Sequence, residues 1–303
     1  MTTQFISIKI NEHLNKLFKT EGKDYVIYCD TDSAYISLDF IVGKLKLTDK
    51  NQILKVLIKA MEKDIVPFIN SSCKILADRL NAFELTTEVK LEKICDKVIF
   101  KGKKRYILNV LYDEGVYHHK PELKVTGMET VRSNTPTIAR KALEDCFEIL
   151  MNDDNEKLFA YIAKFREEFS KMPLEVIGRP SGVKGLDTYY DNRTLYKKAT
   201  PMHVRASLVY NEMLDRYKLT DKFQPIINFD KIKICYLKMP NPFHENIIAI
   251  KEEIPLVLDI SRYIDYHQQF EAVFLKPLRD LCSVIGWNVE RIDTLEDMFS
   301  EVI

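Results

Sequence analysis

The chain has 303 residues, of which 46% are hydrophobic and 30% charged, and its 45 basic side chains cancel 45 acidic ones. That length suffices for about two globular domains, and the charge balance excludes a bulk positive field, so any nucleic-acid partner must be held by local patches. No apolar run approaches the ~20 residues needed to span a bilayer, no signal-peptide pattern opens the chain, and six cysteines without Cys-x-x-Cys spacing argue against structural zinc and for a reducing, cytoplasmic setting.

In chain order, Ile6, Ile8, Ile10, Leu14, Leu17 and Phe18 predict a helix over 5–19, after which Gly22 lets the chain turn. Tyr25-Val26-Ile27-Tyr28-Cys29 and Ala34-Tyr35-Ile36-Ser37-Leu38 predict two short strands around a polar turn. Residues 51–79 carry apolar side chains at helical intervals with a break expected at Pro67, and 83–116 read as strands with a turn at Gly102. These elements describe helices on an antiparallel sheet, an α+β layer.

Near Gly127 the pattern becomes helical. Thr135-Pro136 predicts an N-cap followed by a proline in the first helical turn, and Ala139, Leu143, Phe147, Leu150 and Met151 continue that helix. Further helices are expected over 159–169, 202–217 and 261–281, with a long structured loop over 171–201. The fold expected is thus α+β, divided into residues 1–127 and a mostly helical 128–303.

The turn Tyr28-Cys29-Asp30-Thr31-Asp32-Ser33 carries two carboxylates one residue apart at the tip of an apolar hairpin. Strand alternation makes Asp30 and Asp32 point the same way. Two such charges repel and resist desolvation unless a cation neutralises them, and magnesium takes one or two carboxylates together with substrate phosphates. An ordinary Asp-rich turn remains open, because aspartate favours turns for local reasons. An EF-hand loop does not fit, since Ala34 and Tyr35 stand where Asp or Asn and Gly are needed. Downstream, residues 97–106 place Lys97, Lys101, Lys103, Lys104, Arg105 and Tyr106 within ten positions. This is either a solvated charged turn or a strand that contacts phosphates.

Taken together, Tyr-x-Asp-Thr-Asp-Ser and Lys103-Lys104-Arg105-Tyr106 resemble the palm of family B DNA polymerases, above all the replicative enzymes of T-even-type bacteriophages. Asn11-Glu12-His13-Leu14-Asn15 is similar to the palm helix before the catalytic hairpin, and Gly127-Met128-Glu129-Thr130 to the palm-to-thumb junction. Thr200-Pro201-Met202-His203-Val204-Arg205, Tyr210-Asn211 and Phe274-Leu275-Lys276-Pro277-Leu278 are similar to thumb segments.

The resemblance implies a palm half-sheet over 1–127 and a thumb over 128–303. It implies that Asp32, with Asp30 beside it, binds the two magnesium ions of nucleotidyl transfer, and that Lys104 and Tyr106, within the basic run from Lys103 and Arg105, touch the primer terminus. Glu92 matches an acidic palm position near the metals, and Arg132, Lys184, Lys197, Lys198 and Arg205 could grip duplex phosphates. Leu295, Met298 and Phe299 resemble a sliding-clamp anchor, although Glu296 and Glu301 replace two aromatic positions.

A first palm motif with its third carboxylate, a fingers helix and an exonuclease domain are not found in this sequence. The expectation is therefore the C-terminal subunit of a split DNA polymerase acting on primer–template DNA and dNTP, inactive until a second, N-terminal chain completes a heterodimer and shares the Mg2+ ions. The alternatives are a non-catalytic DNA-binding or replisome-assembly module and an unrelated Asp-x-Asp enzyme such as a sugar-nucleotide transferase. The last leaves the basic run unexplained.

Overall fold

The computed structural model describes residues 2–84, 87–128, 133–152 and 154–290. The chain separates into two compact units, Met1–Lys124 and Val125–Ile303. Helices and small antiparallel sheets mix in both, as an α+β chain should.

The first unit opens with α1 (Thr2–Phe18), followed by the hairpin of β1 (Val26–Asp30) and β2 (Ser33–Ile36). The helix carries two adjacent stripes with a repeat of about four residues, which a helix places on neighbouring lines of its surface. Ile6, Ile10 and Leu14 are buried against Met61, Ile65, Ile69 and Cys73. Thr3, Ser7, Asn11 and Asn15 instead run along β1 as a polar ladder. Thr3 Oγ1 donates to the carbonyl of Thr31 (2.6 Å), and Ser7 Oγ lies 2.9 Å from Cys29 Sγ. Asn11 Oδ1 accepts from the backbone N–H of Tyr25 (2.8 Å) and of Val26 (3.1 Å). Asn15 both donates to and accepts from the backbone of Lys23. Side chains of a helix thus satisfy backbone groups that a neighbouring strand would otherwise take.

After α2 (Asp39–Lys44) come α3 (Lys50–Ala60) and α4 (Val66–Arg79). The break expected at Pro67 does not occur. A single π turn, Met61–Ile65, joins the two helices, with the N–H of Val66 bonded to the carbonyl of Met61. Widening the helix just before Val66-Pro67 accommodates the proline's missing donor without ending the helix. The same device recurs in the second unit. There α10 (Tyr266–Phe270) passes through a π turn, Glu271–Leu275, into α11 (Lys276–Cys282), again directly before a lysine-proline or valine-proline pair, here Lys276-Pro277.

A three-stranded sheet of order β3-β4-β5 follows, from β3 (Lys93–Gly102), β4 (Arg105–Asp113) and β5 (Val116–Thr126). Among the described residues strand structure here begins at Lys93, not at residue 83. The α3 face of Leu54, Leu57 and Ile58 packs on Ile94 and Tyr112 of this sheet.

The second unit starts with α5 (Thr137–Met151) and α6 (Asn155–Phe169). Pro136 is the N-cap of α5 and not its first turn, and no side chain caps that helix end; the carbonyl of Pro136 accepts from Arg140 N. The expected loop over 171–201 is built from short elements: α7 (Leu174–Ile177), β6 (Arg179–Gly182), α8 (Leu186–Tyr189), β7 (Tyr190–Asp191) and β8 (Leu195–Tyr196). After α9 (Met202–Arg216), strands β9 (Lys231–Tyr236) and β10 (Ile247–Ile250) complete a sheet of order β10-β9-β6, with all four residues of β10 buried. All six cysteines are free.

The Asn11 carboxamide is the most exposed point of failure in the first unit's scaffold. Asn11→Ala leaves two half-buried backbone donors without an acceptor and should cost about 2 kcal/mol, read as a several-degree drop in the midpoint of thermal unfolding. Asn11→Asp keeps the acceptor but turns the 2.6 Å bond that the Asn11 amide donates to Asp24 into a contact between two carboxylates, so it should recover only part of the loss.

Candidate nucleic-acid and metal site

Two hairpin tips from distant parts of the first unit meet in the structure. The first is the β1–β2 turn, where Asp30 pairs with Ser33 and only Thr31 and Asp32 lie between. Thr31 takes a left-handed conformation (φ 41°), a costly one for a β-branched residue. It is held by the Thr3 bond to its carbonyl, and its own hydroxyl donates to Asp30 Oδ1 at 3.1 Å. Because the turn interrupts the strand, alternation does not extend to Asp32. Asp30 is half-buried and Asp32 is exposed.

The second tip is the β3–β4 turn, where Gly102 pairs with Arg105 around Lys103 and Lys104. Lys104 is also left-handed (φ 57°), and its backbone N–H donates to the hydroxyl of Tyr28 at 3.0 Å. The Lys104 ammonium then lies 3.8 Å from Asp30 Oδ1. The cation that the acidic turn needs is supplied in part by the chain itself.

Four aromatic rings fix this meeting. Tyr28, Tyr35, Phe100 and Tyr106 are in mutual contact in all six pairings, with centroids 4.8 to 6.1 Å apart. Each such pair contributes about 0.5–1.5 kcal/mol beyond its buried area. Burial, then the hydrogen bond with Tyr106, pushes the Tyr35 hydroxyl well above its ordinary value, so it remains protonated. Tyr106 therefore sits in the support beneath the tips, while Lys103 and Lys104 are exposed and Arg105 is half-buried.

Glu92 does not join them. Lys93 pairs with Asp113 at the far end of the β3–β4 hairpin, and ten residues at roughly 3.3 Å each separate the two ends by about 30 Å. The residues between Glu92 and Lys104 are spent on the length of one unbroken strand, and the Glu92 carboxylate lies 3.9 Å from Lys93 Nζ. That end also carries a recess of about 490 Å3 lined by Lys93, Asp113, His118, Glu122 and Lys124, with both signs of charge mixed.

In the second unit, Lys184, Lys197, Lys198 and Arg205 come from the segment around α8 and β8 and from α9, which packs on both. Lys197 Nζ donates to the carbonyl of Thr188 at 2.6 Å. Arg205 donates to Asn246 Oδ1 at 2.7 Å with its guanidinium 6.0 Å from the Tyr196 ring. Lys184 and Lys198 are exposed. Arg132, Leu295, Met298 and Phe299 lie outside the described residues.

Among the described residues no group of three His, Cys, Asp or Glu side chains could hold a metal ion. Asp30 and Asp32 are hard oxygen donors suited to magnesium, but they make only part of a ligand set. No helix among the described residues is long and apolar enough to cross a membrane. Sequence patterning did not reveal the positions of Thr3 and the Tyr28 hydroxyl at this site; the four-residue repeat of Thr3, Ser7, Asn11 and Asn15 was the one available signal.

No family model matches the chain. It is 29% identical, across 98% of its length, to a DNA-directed DNA polymerase of Enterobacteria phage T4. It is 31% identical, across 99% of its length, to a DNA-directed DNA polymerase of Escherichia phage RB69. It spans about a third (34%) of the length of each relative. The resemblance to phage replicative polymerases carried by the two motifs is borne out over nearly the whole chain.

If the Tyr28 hydroxyl holds the basic turn, Tyr28→Phe keeps the ring packing but frees the Lys104 amide. Loss of one hydrogen bond of about 1 kcal/mol should speed hydrogen exchange at that amide roughly fivefold, with neighbouring β4 amides unchanged. An unaltered Lys104 rate would show that the bond does not restrain the turn.

Proposed function

We propose that this chain is the palm-and-thumb part of a DNA-directed DNA polymerase of the phage replicative kind, working as the C-terminal subunit of a split enzyme in the host cytoplasm. One observation carries the reading: a carboxylate and a lysine 74 positions apart in sequence, Asp30 and Lys104, are brought within 3.8 Å on two rigidly joined hairpin tips. The similarity to the T4 and RB69 polymerases supports it.

On this reading residues 1–127 are the C-terminal part of the palm and 128–303 the thumb with its clamp-binding tail. Asp32, exposed at the tip, is the principal ligand offered to magnesium. Lys103, Lys104 and Arg105 hold the primer strand through point charges on phosphates and acceptors, which tolerate any sequence. Lys184, Lys198 and Arg132, with Lys197 and Arg205 once displaced from their internal partners, grip the duplex. Bound Mg2+ would activate the primer 3′-hydroxyl and stabilise the departing pyrophosphate from the incoming dNTP.

Two carboxylates make only part of a ligand set for two magnesium ions. We propose that a second chain, carrying exonuclease, fingers and the first palm motif, supplies the further carboxylate as this chain's partner. The outer edge of β2 offers a place for it. The sheet has only β1 and β2, and among the described residues no hydrogen bond reaches that edge from another segment. Such an edge is a template for pairing with another strand.

Primer extension tests this directly. The chain alone should extend no primer, and co-expression with the completing chain should restore synthesis. Normal extension by the chain alone defeats the split arrangement. In the reconstituted pair Asp32→Ala should lower the rate about a thousandfold, some 4 kcal/mol of lost transition-state stabilisation, whereas a module that only binds DNA would be indifferent to it.

The tail generates a separate expectation. Deleting residues 294–303 should shorten products made in the presence of the sliding clamp and leave synthesis without the clamp unchanged.

A further inference from the structure

The two carboxylates of the tip have unlike surroundings. Asp32 is exposed, and among the described residues no hydrogen bond reaches its carboxylate. Asp30 has 17% of its side chain exposed, accepts from the Thr31 hydroxyl, and faces the Lys104 ammonium at 3.8 Å. Lys104 is 62% exposed, so its ammonium is open to a ligand from solvent while it contacts Asp30. Its backbone is fixed on both counts that matter, by a left-handed φ and by the N–H bond to Tyr28. The lysine stem therefore leaves the turn in a set direction, and only its flexible end is free to change partner.

We propose that Asp30 is the counter-ion of Lys104: a positioning carboxylate that parks the ammonium at the tip and competes with duplex DNA for it, leaving Asp32 as the carboxylate available to a cation. This deepens the polymerase reading and rests on it. A long, half-exposed ion pair is weak enough for a DNA phosphate or base acceptor to displace. Asp30 thereby sets how firmly the basic turn holds a duplex before anything else has bound.

Equilibrium binding of a fluorescent primer–template duplex to the full chain, in chelator and at several salt concentrations, tests this as a double-mutant cycle. Removing a negative charge near DNA tightens binding whatever its partner, so Asp32→Asn serves as the reference. Asp30→Asn should tighten binding about two- to fivefold, and the gain should vanish in the Lys104→Gln background. The Asp32→Asn gain should be the same in both backgrounds. Lys104→Gln should also lower the salt slope by about one contact in the Asp30→Asn chain, and by less in the parent.

Additive effects of Asp30→Asn and Lys104→Gln, with the duplex bound, overturn the counter-ion role and leave the polymerase reading standing. Failure of every variant and the parent to bind duplex overturns both.

Discussion

The packing of four aromatic rings between two hairpins is the constraint on which the candidate site depends. Tyr28 and Tyr35 come from one hairpin, Phe100 and Tyr106 from the other, and among the described residues no backbone-to-backbone hydrogen bond joins the two sheets. Opposite charges on exposed turns attract only weakly, because water and salt screen them and each turn stays hydrated and mobile. Holding an acidic turn against a basic one therefore needs a non-electrostatic anchor just beneath them, and six ring contacts at about 0.5–1.5 kcal/mol apiece are of the size required. The anchor also explains why Tyr106, placed by motif at the primer terminus, has its ring in the support and its neighbours Lys103 and Lys104 on the surface.

A second economy lies in α1. One stripe of it is core and the adjoining stripe is a substitute strand, so the first hairpin is backed by a helix that supplies apolar area and hydrogen bonds together. The Thr31 strain is compensated within the same ladder, because Thr3, at its first rung, holds the carbonyl of the left-handed residue. Sequence, fold and site are thus connected through one four-residue repeat.

Much of this was legible in the chain. Apolar periodicity gave α1, the two helices around Pro67, α5, α6 and α9, and alternation gave both hairpins, because these signals are local. What escaped depends on partners far away in sequence. The Tyr28–Lys104 bond spans 76 residues, and nothing near either residue announces it. Strand β6 pairs with β9 across some fifty residues, Arg179 opposite Ile234, with no local signal that joins them. Pro67 misled for a different reason, since a π turn can absorb a missing donor and single-residue rules have no term for that. For Glu92, a spacing of twelve residues to Lys104 does not say whether the chain between them folds back, and here it runs the length of β3. The polymerase resemblance was visible because two short motifs are specific in combination, though each alone is weak.

The first unit holds its hairpin tip with its own residues. Its hairpin tip is held by a buried helix–helix core behind it and by the aromatic rings beside it, all contributed from within Met1–Lys124. Its charges are already balanced in part, Asp30 against Lys104. A partner of the kind proposed above thus need not fold this half of the site. On that proposal it has only to bring a further carboxylate to a tip already in place, along an edge of β2 that, among the described residues, takes no hydrogen bond from another segment. The proposed division of the site between two chains requires that the divided edge run through hydrogen bonds that a second chain can supply, and not through the packed rings that hold the tip together.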